Sequence, residues 1–116
     1  MSALFEITHA DQARWQRRAA ATLVAILDEH RDLPLIGWMV GTAGAGLVGR
    51  VEGLRPADQV RAAFELWCAA LGVGERAETP TSSGANLWAT VHTRGVTISL
   101  TAAVRGGDDE SRGLGC

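Results

Sequence analysis

Lysine and tyrosine are missing from this 116-residue chain, and all eleven basic residues are arginine. Their absence excludes Schiff-base chemistry on lysine, phosphate loops that need a lysine, and a tyrosine general acid. The formal net charge is −2, which gives no broad basic field and disfavours sequence-independent binding of duplex nucleic acid. The composition therefore reduces both the range of possible catalytic mechanisms and the range of possible binding partners.

Cysteine and long apolar runs are also scarce. Of the two cysteines, Cys68 lies on an apolar helical stripe and Cys116 is the last residue, so we expect no disulfide and a reducing, cytoplasmic location. No apolar run reaches the roughly 18 residues of a membrane span. The first residues also lack the basic and apolar pattern of a secretory leader. We predict no contact with a membrane.

Hydrophobic residues make up 47% of the chain, with four tryptophans among them. A chain of this length can bury one core without disulfides or metals. We predict a single α+β domain over residues 1–105 and a disordered tail over residues 106–116, because the tail has no apolar period.

The chain is organised around a predicted helix between Pro56, at its first position, and Gly72, just past its end. Its apolar residues recur at spacings of three and four, as on one face of a helix. They are Val60, Ala63, Phe64, Trp67, Cys68 and Leu71. We expect this stripe to be buried against a sheet.

An earlier helix is predicted from His9 to about Leu33, with Thr8 as its cap and Pro34 as its end. Its expected buried stripe is Ala13, Ala20, Leu23, Val24 and Leu27, with Ala19 and Ile26 beside it. Before this helix, the apolar Phe5 and Ile7 predict an anchored segment or an edge strand.

A hairpin is predicted after each of the two helices. In the first, the glycine-rich turn GTAGAG places Trp38 opposite Val51 and Val40 opposite Gly49. In the second, a two-residue turn at Arg94 and Gly95 sets the pairs Thr93–Val96, Val91–Ile98, Ala89–Leu100 and Leu87–Ala102, all on one face. The stretch VGERAETPTSSG before this hairpin is predicted to be a loop.

The predicted fold is thus a two-layer sandwich, helix-hairpin-helix-hairpin (αββαββ), with both helices on one face of a four-stranded antiparallel sheet. The hairpin with Trp38 and Val40, followed by an alanine-rich helix ending in Leu71 and Gly72, resembles small uncharacterised proteins common in actinobacteria. This resemblance implies no activity.

No motif predicts catalysis or a cofactor. The three histidines have no metal-ligand spacing, and Cys68 on a buried stripe is typical of an inert cysteine. The GTAGAG turn leads into a strand rather than a helix, so it lacks the helix N-terminus of a phosphate loop. Ser82 and Ser83 have no nucleophile-elbow context. We expect neither metal nor cofactor, although an enzyme completed by residues of a partner stays open.

The sheet face opposite the helices is the candidate interaction face. Its predicted residues are Leu35, Met39, Val48, Arg50, Trp88, His92, Thr97 and Thr101. An apolar patch with a polar rim favours a non-enzymatic interaction domain, homodimeric through this face, with an accessory or regulatory role. The alternative is a nucleic-acid-binding accessory protein that uses Trp88, Arg50 and Arg94. Two simpler interpretations also stay open: a single exposed tryptophan needs no function, and Phe5 and Ile7 could cover the face.

Overall fold

A computed structural model describes residues 8–41, 46–52 and 55–106. Within them the chain forms two helices and one five-stranded sheet. In chain order the elements are α1 (His9–Glu29), β1 (Gly37–Val40), β2 (Gly46–Val51), α2 (Ala57–Leu71), β3 (Glu75–Thr81), β4 (Gly84–Thr93) and β5 (Val96–Arg105). The α+β class is confirmed, and the order is αββαβββ rather than αββαββ.

The sheet order is β1-β2-β5-β4-β3. Neighbouring strands are antiparallel except for β2 and β5, which run parallel. The prediction of a four-stranded antiparallel sheet is therefore wrong in strand number and in pairing. Helix α1 packs on β1, β2 and β5, and α2 packs on β5 and β2, so the helices lie against one side of the sheet.

The strand that the sequence pattern did not predict, β3, lies at the edge of the sheet and is exposed along its whole length. Its proline and charged residues are typical of an edge strand rather than a central one. Arg76 and Glu78 point toward α2, where Arg76 pairs with Glu65 and Glu78 with Arg61. Residues predicted to be a polar loop thus form a strand, because a helix surface and β4 supply their partners.

Helix α2 is the element predicted best. Pro56 is its N-cap, and Gly72 ends it in the left-handed conformation. Its apolar stripe packs into the core, with Phe64 and Trp67 only 1% and 2% exposed. The indole Nε1 of Trp67 donates a 2.8 Å hydrogen bond to the carbonyl oxygen of Pro34, which ties the helix to the segment before β1.

Helix α1 begins as predicted, and its buried side is centred on Ala19 and Ile26, which were predicted to lie beside the buried stripe. Thr8 and Asp11 form a reciprocal capping box, and hydrogen bonds from Thr8 hold the pKa of the Asp11 carboxyl below its usual range. The helix ends at Glu29, earlier than expected. Its buried residues are Ala19, Thr22 and Ile26, whereas Ala20, Val24 and Leu27 from the predicted stripe are exposed.

The β4–β5 register is confirmed for all four predicted pairs. Arg94 and Gly95 form the two-residue turn, both with positive φ, at 55° and 74°. Such angles are those of the hairpin turns that match strand twist. Inward-facing residues of β4 and β5 form the centre of the core, with Ala89, Ile98 and Leu100 fully buried.

The β1–β2 register differs from the prediction by two residues, so every side chain keeps its predicted face. Trp38 lies opposite Gly49, and Val40 lies opposite Leu47. A β-carbon on Gly49 would come within 3.0 Å of the Trp38 ring and 2.8 Å of Leu100. Glycine at position 49 therefore makes room for the indole, which explains why Trp38 pairs here and not with Val51.

Several sequence predictions lie outside the described residues. They concern the segment with Phe5 and Ile7, the centre of the GTAGAG turn, and the tail from residue 107 with Cys116. In the part of the chain that the structure describes, no helix is long and apolar enough to cross a membrane.

Candidate interaction face

The sheet leaves the face opposite the helices without a second layer among the described elements. Strand alternation sends Met39, Val48, Arg50, Thr101 and Trp88 to this face, which we call the open face. The reverse side of the same strands carries the buried core. For the residues within β1, β2, β4 and β5, the predicted assignment to the two faces is thus found in the structure.

One row across the sheet organises the open face. Arg50 lies beside Thr101 in the parallel pair, Thr101 lies opposite Trp88, and Trp88 lies opposite Ala77 of β3. In the next row, Met39 is opposite Val48 and Val48 is beside Ser99. An arginine, a threonine and a tryptophan thus follow one another over three adjacent strands.

These rows border a groove of about 520 Å³. Of the eight predicted residues, the groove brings together Met39, Val48, Arg50, Trp88 and Thr101. Met39 is 65% exposed and Trp88 is 41% exposed. The groove therefore has an apolar floor and one cationic wall.

The other three predicted residues do not line this groove. Leu35 is 84% exposed and precedes β1. His92 and Thr97 lie on the open face toward the β4–β5 turn, where Nδ1 of His92 and Oγ1 of Thr97 are 3.0 Å apart. Their polar groups satisfy each other, so this end of the face is more polar than its centre.

The sequence prediction omitted some residues of the groove and of its surroundings. Asn86 and Ala103 line the groove, and the strand alternation that placed Trp88 and Thr101 could have found both. Glu75 and Ala77 of β3 could not be placed, because that segment was interpreted as a loop. A second groove of about 430 Å³ adjoins the first and shares Arg50, Asn86 and Ala103 with it.

Charges on the open face are few. Arg50, Glu52, Glu75 and Arg105 are exposed, and none of them forms an ion pair with a described residue. Arg94, which the nucleic-acid hypothesis also uses, lies in the β4–β5 turn and donates a 2.8 Å hydrogen bond to Glu29 of α1. That hydrogen bond lowers the pKa of Glu29, and it directs Arg94 toward the helical layer.

The structure shows the surroundings of the residues that could hold a metal ion or act as a nucleophile. Among the described residues, no three or more histidine, cysteine or acidic side chains are grouped so as to hold a metal ion. Cys68 is buried on the other side of the sheet, and burial raises the pKa of its thiol, so the nucleophilic thiolate is disfavoured.

The helical layer also exposes larger apolar side chains, namely Val24 and Leu27 on α1 and Leu66 on α2. They are divided between two helices, and none of them lines either groove. Scattered exposed apolar residues are normal on a soluble surface. The groove on the sheet is therefore the stronger candidate site.

Comparison of the chain with known protein families, curated proteins and solved structures finds no match. The resemblance to small actinobacterial proteins stays a prediction.

Proposed function

We propose that this protein is a non-enzymatic cytoplasmic interaction domain that forms a homodimer through the open face and has an accessory or regulatory role. The observation that carries the proposal is the exposure of Met39 and Trp88 around one groove on an otherwise well-packed sheet. Exposed apolar surface of this kind marks binding sites. Tryptophan and methionine are also enriched at protein interfaces.

The dimensions of the sheet support a second copy as the occupant. Five strands spaced about 4.8 Å apart make a face about 24 Å wide. With strands of four to ten residues, its area is of the order of 600 Å², near the roughly 800 Å² per partner of a standard interface. Two such sheets packed face to face, about 10 Å apart, form a β-sandwich core.

The test is the oligomeric state of the parent and of Trp88→Glu by sedimentation velocity over a range of concentrations. We expect a dimer for the parent and a folded monomer for the variant, because a carboxylate is tolerated on a solvated sheet face and not inside an apolar interface. Leu66→Glu on α2 is the matched control, since it places the same charge on an exposed apolar position of the helical layer. A monomeric parent at all concentrations would refute the proposal.

Binding of single-stranded nucleic acid is a second candidate, because Trp88 and Arg50 line the same groove. A base could stack on the indole while the guanidinium contacts a phosphate. Against this, Arg50 is the one described arginine that lines this groove, with Arg105 in the adjoining groove, and Arg94 is held by Glu29. Titration of the protein with an oligonucleotide, followed by tryptophan fluorescence at two salt concentrations, tests this candidate. Phosphate contacts predict affinity that falls steeply with salt.

A further inference from the structure

The open face carries opposite charges on the two sides of Trp88. Arg50 lies on β2, and Glu75 lies on β3, with β5 and β4 between them. Arg50 is in the same row as Thr101 and Trp88, while Glu75 is opposite Thr90, in the neighbouring row. On the open face, Arg50, with Glu52 close to it, thus lies on one side of Trp88, and Glu75 lies on the other side.

Among the described residues, no arginine lies next to Glu75 on the open face. The neighbouring positions on β3 and β4 that share this face are Ala77, Trp88, Thr90 and His92, and the imidazole of His92 contacts Thr97. The arginine of β3, Arg76, points to the opposite side and pairs with Glu65. Glu75 is exposed and forms no ion pair with any described residue, so its carboxylate is available to a cation from outside the chain.

We infer that Arg50 of each copy pairs with Glu75 of the other in the proposed homodimer, about a two-fold axis that runs parallel to the strands between β5 and β4. The inference rests on the proposed function and specifies its geometry. Arg50 and Glu75 are three strand spacings apart, about 14 Å. A two-fold axis midway between their strands therefore places β2 of each copy over β3 of the other, and Arg50 of one copy near Glu75 of the other. Their remaining offset of two residues, about 7 Å along the strand, is spanned by the long arginine side chain.

The same axis also organises the centre of the interface. Thr101 and Trp88 are opposite each other on β5 and β4, so they lie on either side of the axis. Each Trp88 then packs over Thr101 of the second copy, and the two indoles are adjacent at the centre. An interface with a central aromatic anchor and charged pairs at its rim matches the usual anatomy of protein interfaces. The charged pairs fix its orientation.

Glu52 is another described carboxylate beside this face, and Arg50 could pair with it without a second copy of the chain. Glu52 lies two residues from Arg50 in the chain, and both residues line the second groove, so Arg50 can reach Glu52 within one copy. Glu75 is separated from Arg50 by two strands. Only Glu75 therefore distinguishes a pairing between copies from one within a copy.

Charge reversal tests the pairing by sedimentation velocity. Arg50→Glu and Glu75→Arg are each expected to weaken the dimer by about tenfold or more, because every dimer then holds two like-charge contacts. The double variant Arg50→Glu/Glu75→Arg is expected to return to within a few-fold of the parent. An equimolar mixture of the two single variants is expected to form heterodimers, since both contacts in such a pair are again between opposite charges.

The control is Arg50→Glu combined with Glu52→Arg, which is expected to stay as weak as Arg50→Glu alone. Rescue by Glu52→Arg and not by Glu75→Arg would overturn the inferred pairing. A dimeric parent whose charge variants all dimerise normally would overturn the pairing and leave the proposed homodimer intact. A monomeric parent would overturn both. Circular dichroism of each variant establishes that the folded state is being compared.

Discussion

Trp67 and Trp38 meet edge to face, with ring centroids 5.4 Å apart, yet their indole N–H groups have opposite surroundings. Nε1 of Trp67 donates to Pro34. Nε1 of Trp38 is buried and has no hydrogen-bond partner among the described residues. Substitution by phenylalanine removes the N–H from each ring and shortens each ring by a similar amount. We therefore predict that the two substitutions have clearly different effects on stability.

Trp67→Phe weakens the packing of the ring, and it also removes a hydrogen bond that contributes about 0.5 to 1.5 kcal/mol net to stability. If the Pro34 carbonyl is then left without a partner, it adds about 1 to 3 kcal/mol. For Trp38→Phe, removal of an unsatisfied N–H returns a desolvation cost of the same size, about 1 to 3 kcal/mol. This gain offsets the weaker packing of the phenyl ring. The variants should differ by about 2 kcal/mol or more in free energy of unfolding, with Trp67→Phe the less stable.

Urea denaturation followed by far-ultraviolet circular dichroism measures this difference without depending on tryptophan fluorescence. Each variant is the control for the other, because the same atoms are removed from the same aromatic pair. In a domain of this size, 2 kcal/mol corresponds to a difference in Tm of roughly 8 °C or more. If Trp38→Phe is as destabilising as Trp67→Phe, the assignment of one satisfied and one unsatisfied indole is wrong.

Two further predictions concern the core. Gly49→Ala should lower the free energy of unfolding by about 1 to 3 kcal/mol, because its β-carbon would meet Leu100, Ile36 and Trp38 at 3.0 Å or less in a filled core. Gly37→Ala is the control in the same urea experiment, since the one described atom within 4 Å of its β-carbon would be the Arg50 carbonyl oxygen, at 3.8 Å. Equal losses of stability in the two variants would contradict the packing argument. In a Cys116→Ser background, Cys68 should react with a thiol reagent only as fast as the protein unfolds, because it is 4% exposed and burial raises its thiol pKa. Rapid stoichiometric labelling of the folded protein would instead indicate an accessible, reactive cysteine.

The sequence predicted the elements whose signals are local and strong. Helix α2 has a wide apolar stripe with a proline before it and a glycine after it. The β4–β5 hairpin has strict alternation and a turn with glycine at a position of positive φ. In both cases neighbouring residues determine the structure, so periodicity was enough to place Phe64, Trp67 and Trp88.

The errors arose where the structure of a segment depends on the element of the chain that packs or pairs with it. Helix α1 is rich in alanine, so its faces differ little in hydrophobicity. The side that packs on the sheet is the one with the small residues Ala19 and Thr22. Strand β3 has no apolar alternation, and its ion pairs with α2 could be anticipated only once α2 was in place. The parallel pairing of β2 with β5 was missed because two hairpins were assumed to combine into an antiparallel sheet.

The sequence pattern predicted which residues lie on which face of the sheet, but it did not predict the edge strand β3. The two-residue error in the β1–β2 register kept Met39 and Val48 on the open face, because side chains alternate with a period of two. A one-residue error would have turned them into the core. The contribution of β3, including Glu75, required a strand that the sequence pattern did not indicate.

The parallel pairing of β2 with β5 also bears on how the chain folds. Paired residues in this ladder are always 51 positions apart, whereas the β1–β2 and β4–β5 hairpins join near neighbours in the chain. Closing a long loop has a larger entropic cost than closing a hairpin, and contacts distant in sequence slow folding. We therefore expect both hairpins to form early and the β2–β5 ladder to form in the rate-limiting step. Substitutions at buried Leu47 or Ile98, a pair in that ladder, should then change the folding rate more than substitutions at the β4–β5 turn.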